Sequence, residues 1–160
     1  PEESEAAYVN KKSVTKNIIE KIVTEFPDEE KIVLSRYKKQ TDELKKVFGG
    51  KITILSKPVN GKKILSKVDC IIGSGGTMTA EAGLLGIPTI SLNAVPNRIE
   101  DYLVKNKIVV RSENPNRISR EVFQVLNNDS IIKKRKQRAN KLVASFEDPY
   151  QVLLRTIREL

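Results

Sequence analysis

Residues 68–85 read VDCIIGSGGTMTAEAGLL. The apolar run that ends at Ile72 predicts a buried strand over 69–72. Four residues then follow, three of them glycine, and glycine lets the backbone turn sharply where a Cβ would obstruct it. The next segment predicts a helix over 77–85, which Gly86 ends. This strand, glycine turn and helix form the unit from which the fold is predicted.

The flanking sequence alternates in the same way between short β-branched runs and stretches of helical spacing. We expect four further strands, at 31–37, 52–55, 89–92 and 108–110. We expect other helices at 13–26 (with Ser13 as its cap), 38–48, 62–67, about 97–105, 115–127, 130–145 and 149–159. This alternation predicts an α/β fold with a doubly wound, Rossmann-like parallel sheet in one domain over residues 1–160.

The start of the chain departs from this pattern. It opens with the charged PEES and has no strand before its first predicted helix. Doubly wound domains usually begin with a strand. We therefore expect that the first strand, and any preceding domain, lie upstream of Pro1.

Composition limits the chemistry. The 160 residues carry a net charge of +9, which suits phosphate-bearing partners, and they include no histidine. An imidazole base and a zinc site of histidine and cysteine are therefore excluded, and neither a metal nor a cofactor is implied. The single cysteine, Cys70, is interpreted as a buried, inert thiol in a reducing, cytoplasmic compartment. No apolar run approaches the roughly 18 residues of a membrane span.

The glycine turn is the candidate binding site. Ligands of such sheets bind outside the carboxyl ends of the strands, and a helix N-terminus favours a phosphate or diphosphate. Ser74, Thr77 and Thr79 offer hydroxyl donors, and Glu81 lies one turn into the helix, where its carboxylate can accept hydrogen bonds from a ribose. The alternative is a tight turn whose glycines serve packing, since the motif matches neither GxGxxG nor the Walker pattern.

The run VDCIIGSGGTMTAEAGLLGIPTISL (68–92) closely resembles the motif of a mostly archaeal family, domain of unknown function 354. PEESEAAYV (1–9), VLSRYKKQ (33–40), KPVNG (57–61) and FEDP (146–149) also resemble its C-terminal half. That family is similar to glycosyltransferases of the two-domain GT-B fold and to UDP-GlcNAc 2-epimerase. In those enzymes the C-terminal domain holds the nucleotide of a UDP-sugar, and the N-terminal domain faces it across a cleft.

The resemblance implies a nucleotide-sugar-binding domain that is not active alone, with its catalytic residues unassigned. It implies that Ser74, Gly75, Gly76 and Thr77 hold the diphosphate, that Glu81 takes the ribose, that Pro58, Val59 and Asn60 lie beside the uracil, and that Arg36 contacts a phosphate. Glu81 is followed by Ala82, where the epimerase motif has a second glutamate. The implied partners are a UDP-sugar and the missing N-terminal domain.

Other features have competing interpretations. The basic run at 133–141 is read as a solvated helix face, with a nucleic-acid surface as the alternative. A nucleotide sensor without catalysis is a further alternative. Asn97, Arg98 and Glu100 could reach a sugar, but we expect helix capping and surface solvation. Arg36 could be an exposed strand end, and Asn60 part of a turn only.

Overall fold

The computed structural model describes residues 14–92 and 97–159. The strands in these ranges are β1 (Ile32–Leu34), β2 (Thr53–Leu55), β3 (Ile71–Gly73), β4 (Thr89–Ser91) and β5 (Val109–Arg111). The helices are α1 (Thr15–Glu25), α2 (Lys38–Phe48), α3 (Gly61–Leu65), α4 (Thr77–Leu84), α5 (Arg98–Lys105), α6 (Pro115–Leu126), α7 (Asp129–Ala144) and α8 (Pro149–Arg158). The expected order of strands and helices is confirmed, with ends that differ by a few residues. The predicted cap Ser13 lies outside the described residues.

Local capping explains where the later helices begin. Asn114 and Asn128 accept hydrogen bonds from the first-turn amides of α6 and α7, and Asp148 does so for α8. The strand expected at 31–37 ends earlier, at Leu34, because Arg36 N–H donates to Gln40 Oε1 and the chain turns into α2.

The strands form two parallel ladders. One pairs β1 with β2, with Val33 opposite Ile54. The other runs β3–β4–β5, and its middle strand pairs on both sides. The sheet that the sequence predicts as continuous is therefore divided between β1 and β3, which do not pair within the described ranges. The order of strands across a sheet depends on contacts that no local pattern encodes.

Helices cover both faces of the larger ladder. On one face α1 and α6 pack over β4, and the buried side chains there are Ile18, Phe26, Ile90, Leu92, Ile118 and Val122. On the other face Leu103, Ile108, Val109 and Ala139 form a second cluster beneath α5 and α7. Val109 and Val110 contribute to opposite clusters, as successive strand residues do. Within the described ranges, no helix has the length and apolar character that a bilayer crossing needs.

Candidate functional site

The glycine turn connects β3 to α4. Gly75 has φ +95°, in the left-handed region that favours glycine, and Gly76 is extended with φ 174°. Gly76 occupies the N-cap position, so no side chain caps α4. The amides of the first helical turn have no intrahelical acceptors, and the helix dipole adds partial positive charge there. The turn therefore presents backbone donors that suit an anion.

The three glycines of the turn have different surroundings. A Cβ atom at Gly73 would overlap Thr79 Oγ1, and one at Gly75 would overlap Glu100 Oε2. A Cβ at Gly76 would meet no atom within 4 Å among the described residues. Gly73 and Gly75 thus allow close packing beneath the turn, while Gly76 leaves open space at the helix N-terminus.

A buried carboxylate lies beneath the turn. Glu100 is only 4% exposed, and its Oε1 accepts a hydrogen bond from Arg111 Nε at 2.8 Å. Arg111 Nη2 donates to Asp101 Oδ1 at 2.6 Å, and the bonds to Asp101 and Glu100 raise the pKa of Arg111. Glu100 Oε2 is buried, faces Gly75 and has no hydrogen-bond partner within the described ranges. The ion pair with Arg111 therefore holds an acceptor against the base of the turn.

The expectation of surface solvation was wrong for Glu100, while the expected capping by Asn97 is confirmed. Asn97 Oδ1 accepts from Glu100 N–H at 2.9 Å, and Arg98 is exposed. One signal could have located the carboxylate, because Glu100 and the buried Leu103 are three residues apart on one face of α5. Arg111, at the end of β5, was also missed.

The side chains predicted for the site lie at different depths. Thr77 and Glu81 are exposed on α4, and Ser74 is half-buried at the start of the turn. Thr79 is buried, and its hydroxyl packs against Gly73. The outer surface of the turn is therefore formed by Gly76, Thr77 and Glu81, with the Thr79 hydroxyl beneath it.

The loop at 57–61 lies beside the same helix. Pro58, Val59 and Asn60 are exposed, and Asn60 Oδ1 accepts from Lys63 N–H at 3.3 Å, which caps α3. A Cβ at Gly61 would lie 3.5 Å from Met78 Cε, in the first turn of α4. The structure thus brings this loop next to the glycine turn.

Arg36 follows the end of β1. It is exposed, and its guanidinium carbon lies 5.8 Å from the centre of the Tyr37 ring. It lines a cavity of about 320 Å³ between the ends of β1 and β2, together with Lys45 and Ser56. Ser74 lines a different cavity, of about 500 Å³.

Parallel strands joined by helices, with a glycine turn at the carboxyl end of a strand, define a Rossmann-like α/β domain. The chain belongs to the family described as "Protein of unknown function (DUF354)", whose profile matches residues 1–160. No curated protein matches the chain significantly.

A solved structure shares this fold. The crystal structure of UDP-GlcNAc 2-epimerase from Neisseria meningitidis bound to UDP-GlcNAc superposes with a TM-score of 0.63 at 16% identity. The match covers 91% of this chain and 41% of the epimerase chain. The chain thus spans less than half the length of that protein. It has a Rossmann-like architecture similar to one part of a GT-B-like epimerase.

Proposed function

We propose that this domain binds the diphosphate of a nucleotide sugar, specifically of a UDP-sugar, at the Ser74–Thr77 turn. The observation that carries the proposal is the N-terminus of α4, which no side chain caps and which opens to free space above Gly76. Uncapped amides and the helix dipole favour an anion, and the absence of a Cβ lets a phosphate oxygen approach the backbone. The hydroxyls of Ser74 and Thr77 supply further donors.

The remaining parts of the nucleotide have candidate contacts nearby. Glu81 is exposed one turn beyond Thr77 on α4, so its carboxylate can accept hydrogen bonds from the two ribose hydroxyls. Pro58, Val59 and Asn60 are exposed and directly precede Gly61, which lies beside Met78, so their backbone groups are candidate contacts for a uracil ring. Arg36, which is exposed after the end of β1, is the candidate phosphate contact from another strand.

At the level of the whole protein, we propose a GT-B-like glycosyltransferase or a related sugar-nucleotide enzyme, in which this is the C-terminal, nucleotide-sugar-binding domain. The fold shared with an epimerase solved with UDP-GlcNAc supports this proposal. Because the chain has no histidine, we expect the acid and base of the reaction to come from carboxylates or from a facing domain. The cytoplasmic location inferred from the lone Cys70 is part of the same proposal.

Nucleic-acid binding through the basic helix α7 is a weaker candidate. Arg135 pairs with Glu121 at 2.9 Å, and Arg138 donates to the carbonyl of Lys107 at 3.1 Å. These two arginines hold α7 against the domain, which reduces the charge available to a phosphate backbone. A second alternative is a nucleotide sensor without catalysis. It would bind its nucleotide at the same turn as the proposed enzyme but would catalyse no reaction.

Calorimetric titration of UDP, UDP-GlcNAc and a single-stranded oligonucleotide into the wild type, Gly76→Ala and Gly76→Val tests the proposal. We expect UDP to bind at micromolar to millimolar concentration, and the larger side chain to weaken it more. Unchanged thermal melting of both variants is the control, since their side chains enter open space. Binding of the oligonucleotide alone, equally in all three proteins, would support the nucleic-acid alternative and reject the diphosphate site.

A further inference from the structure

The two ladders face each other across an apolar cavity. β1 pairs only with β2, and β3 pairs only with β4, in the ranges that the structure describes. Between their free edges lies the cavity of about 500 Å³ that Ser74 also lines. All three residues of β1 and all three of β3 line it, and α1 covers it with Ile18 and Ile22.

The strands beside the cavity are under-buried for a parallel sheet. In β4, which pairs on both sides, every residue is at most 1% exposed. In contrast, Ile32 of β1 is 38% exposed, and Ile71 and Ile72 of β3 are only half-buried. Parallel strands are normally covered on both faces and paired on both edges, and open apolar edges favour aggregation. Among residues 14–92 and 97–159, the cavity therefore marks a position in the sheet that no strand fills.

The backbone directions show which groups border this position. Thr53 N–H donates to the carbonyl of Lys31, and Ser35 N–H to that of Leu55. Alternate residues of a strand direct their polar groups to opposite neighbours, so Ile32 and Leu34 direct theirs into the cavity.

The same alternation holds in β3. Ile71 N–H donates to the carbonyl of Pro88, and the carbonyl of Gly73 accepts from Leu92 N–H, so both residues face β4. Ile72, between them, therefore directs its N–H and C=O into the cavity. Donors and acceptors thus line both sides of the gap, as they would on either side of a strand.

We propose that the cavity is the slot for one further parallel β-strand, and that the same polypeptide supplies this strand N-terminal to α1. Helix α1 covers the cavity and leads directly into β1, so α1 and β1 complete a right-handed β–α–β crossover whose first strand would fill the slot. Thr15, in the first turn of α1, supports this direction. Its buried Oγ1 lines the cavity and has no partner within the described residues.

The sequence of the occupant can be stated in chemical terms. A strand buried on both faces needs a continuous run of valine, isoleucine or leucine. The segment PEESEAAYVNKKS at residues 1–13 offers only Ala6–Val9, of which two residues are alanine. A run of that composition would therefore have to come from outside residues 1–13. Its carboxyl end would lie beside the end of β3, so the loop that follows it would reach the glycine turn.

Amide hydrogen exchange tests this inference without any nucleotide, so its result is independent of the proposed function. We would compare the 160-residue chain with a longer polypeptide that includes the natural residues before Pro1. The amides of Ile32, Leu34 and Ile72 should exchange about tenfold more slowly or better in the longer polypeptide, because exchange then requires opening of a paired strand. A proline within the upstream apolar run, which removes a ladder donor, should abolish that protection.

A second measurement uses only the longer polypeptide. In a Cys70→Val background, single cysteines are placed along the upstream run together with Ile32→Cys, a position that lines the cavity and is 38% exposed, and disulfide formation between the two positions is measured. A cysteine in register should react, whereas one placed a single residue along faces the other side of the sheet and should not. The inference is overturned if no apolar run precedes Pro1, if the three amides exchange equally in both chains, or if their protection requires dimerisation.

Discussion

Glu100 Oε2 lies so close beneath Gly75 that a Cβ atom at residue 75 would overlap it. Gly75 also has a positive φ, whereas the neighbouring Gly76 is extended and faces open space. Two adjacent glycines therefore have different reasons to lack a side chain. One is required by the packing of the fold, and the other borders open space at the N-terminus of α4.

We predict that Gly75→Ala lowers the free energy of unfolding by roughly 1–3 kcal/mol, the cost of a strained backbone together with a steric overlap. Gly76→Ala should change it by less than about 0.5 kcal/mol, as exposed substitutions do. Urea unfolding of both variants measures the difference. Adding Glu100→Ala to Gly75→Ala should recover part of the loss, and equal stability of the two single variants would contradict the packing relationship.

The pair of Arg111 and Glu100 predicts a second asymmetry. Arg111→Met leaves the buried carboxylate without its charged partner and should destabilise the fold by roughly 2 kcal/mol or more. Further replacement of Glu100 by Gln removes the buried charge and should restore part of the stability. Asp101→Asn is the matched control, because Asp101 is 61% exposed and its bond to Arg111 should contribute less than about 1 kcal/mol. A double-mutant cycle without coupling between residues 100 and 111 would refute the role of the pair.

The thiol of Cys70 should resist modification. Burial raises its pKa from 9.0 to about 12, so very little thiolate exists near pH 8. Labelling by a thiol reagent should therefore be much slower in the folded protein than in urea. Rapid labelling under native conditions would show that the side chain is reactive.

The same shift predicts a dependence of stability on pH. In the folded state the Cys70 thiol keeps its proton to a higher pH than it does in the unfolded state. The stabilisation that the protonated thiol contributes is therefore complete below about pH 9 and is lost as the pH rises toward about 12. Urea unfolding at several alkaline pH values should show a steeper loss in the wild type than in Cys70→Val. Parallel losses in the two proteins would remove Cys70 as the cause.

Glu81→Gln should weaken UDP binding by roughly 1.5–3 kcal/mol, which is about 10- to 150-fold, because it replaces a charged acceptor of ribose hydroxyls. Glu43→Gln, an exposed carboxylate on α2, is the control for loss of one negative charge. Titration with UDP and with 2′,3′-dideoxy-UDP separates the contacts. The dideoxy nucleotide should bind the wild type and Glu81→Gln with equal affinity. If Glu81→Gln weakens binding of the dideoxy nucleotide as much as binding of UDP, the ribose contact is excluded.

Most helices and strands could be predicted because their signals are local. The glycines after Ile72 mark the end of β3, and Asn114 and Asn128 cap the helices that follow them. Each of these signals acts within a few residues of its element. The position of the glycine turn was predictable for the same reason.

The features that were missed depend on residues distant in sequence. Glu100 is buried because Arg111, eleven positions later, pairs with it, and an isolated glutamate is ordinarily assigned to the surface. Arg111, at the end of β5, was missed for the same reason, since its partner Glu100 lies on the preceding helix. The division of the sheet likewise involves edges that only the fold brings together.

The two ladders have a consequence for how the chain folds. Each joins strands that are consecutive in the chain, so each can form through short-range crossovers that close quickly. The contact of α1 with α6 is different, because Ser119 Oγ donates to a carboxylate oxygen of Glu25 across 94 positions. Closing that loop costs more entropy than closing the loop within either ladder, because the cost grows with the logarithm of loop length. Docking of α1 should therefore be a late event in folding, and its release an early event in unfolding.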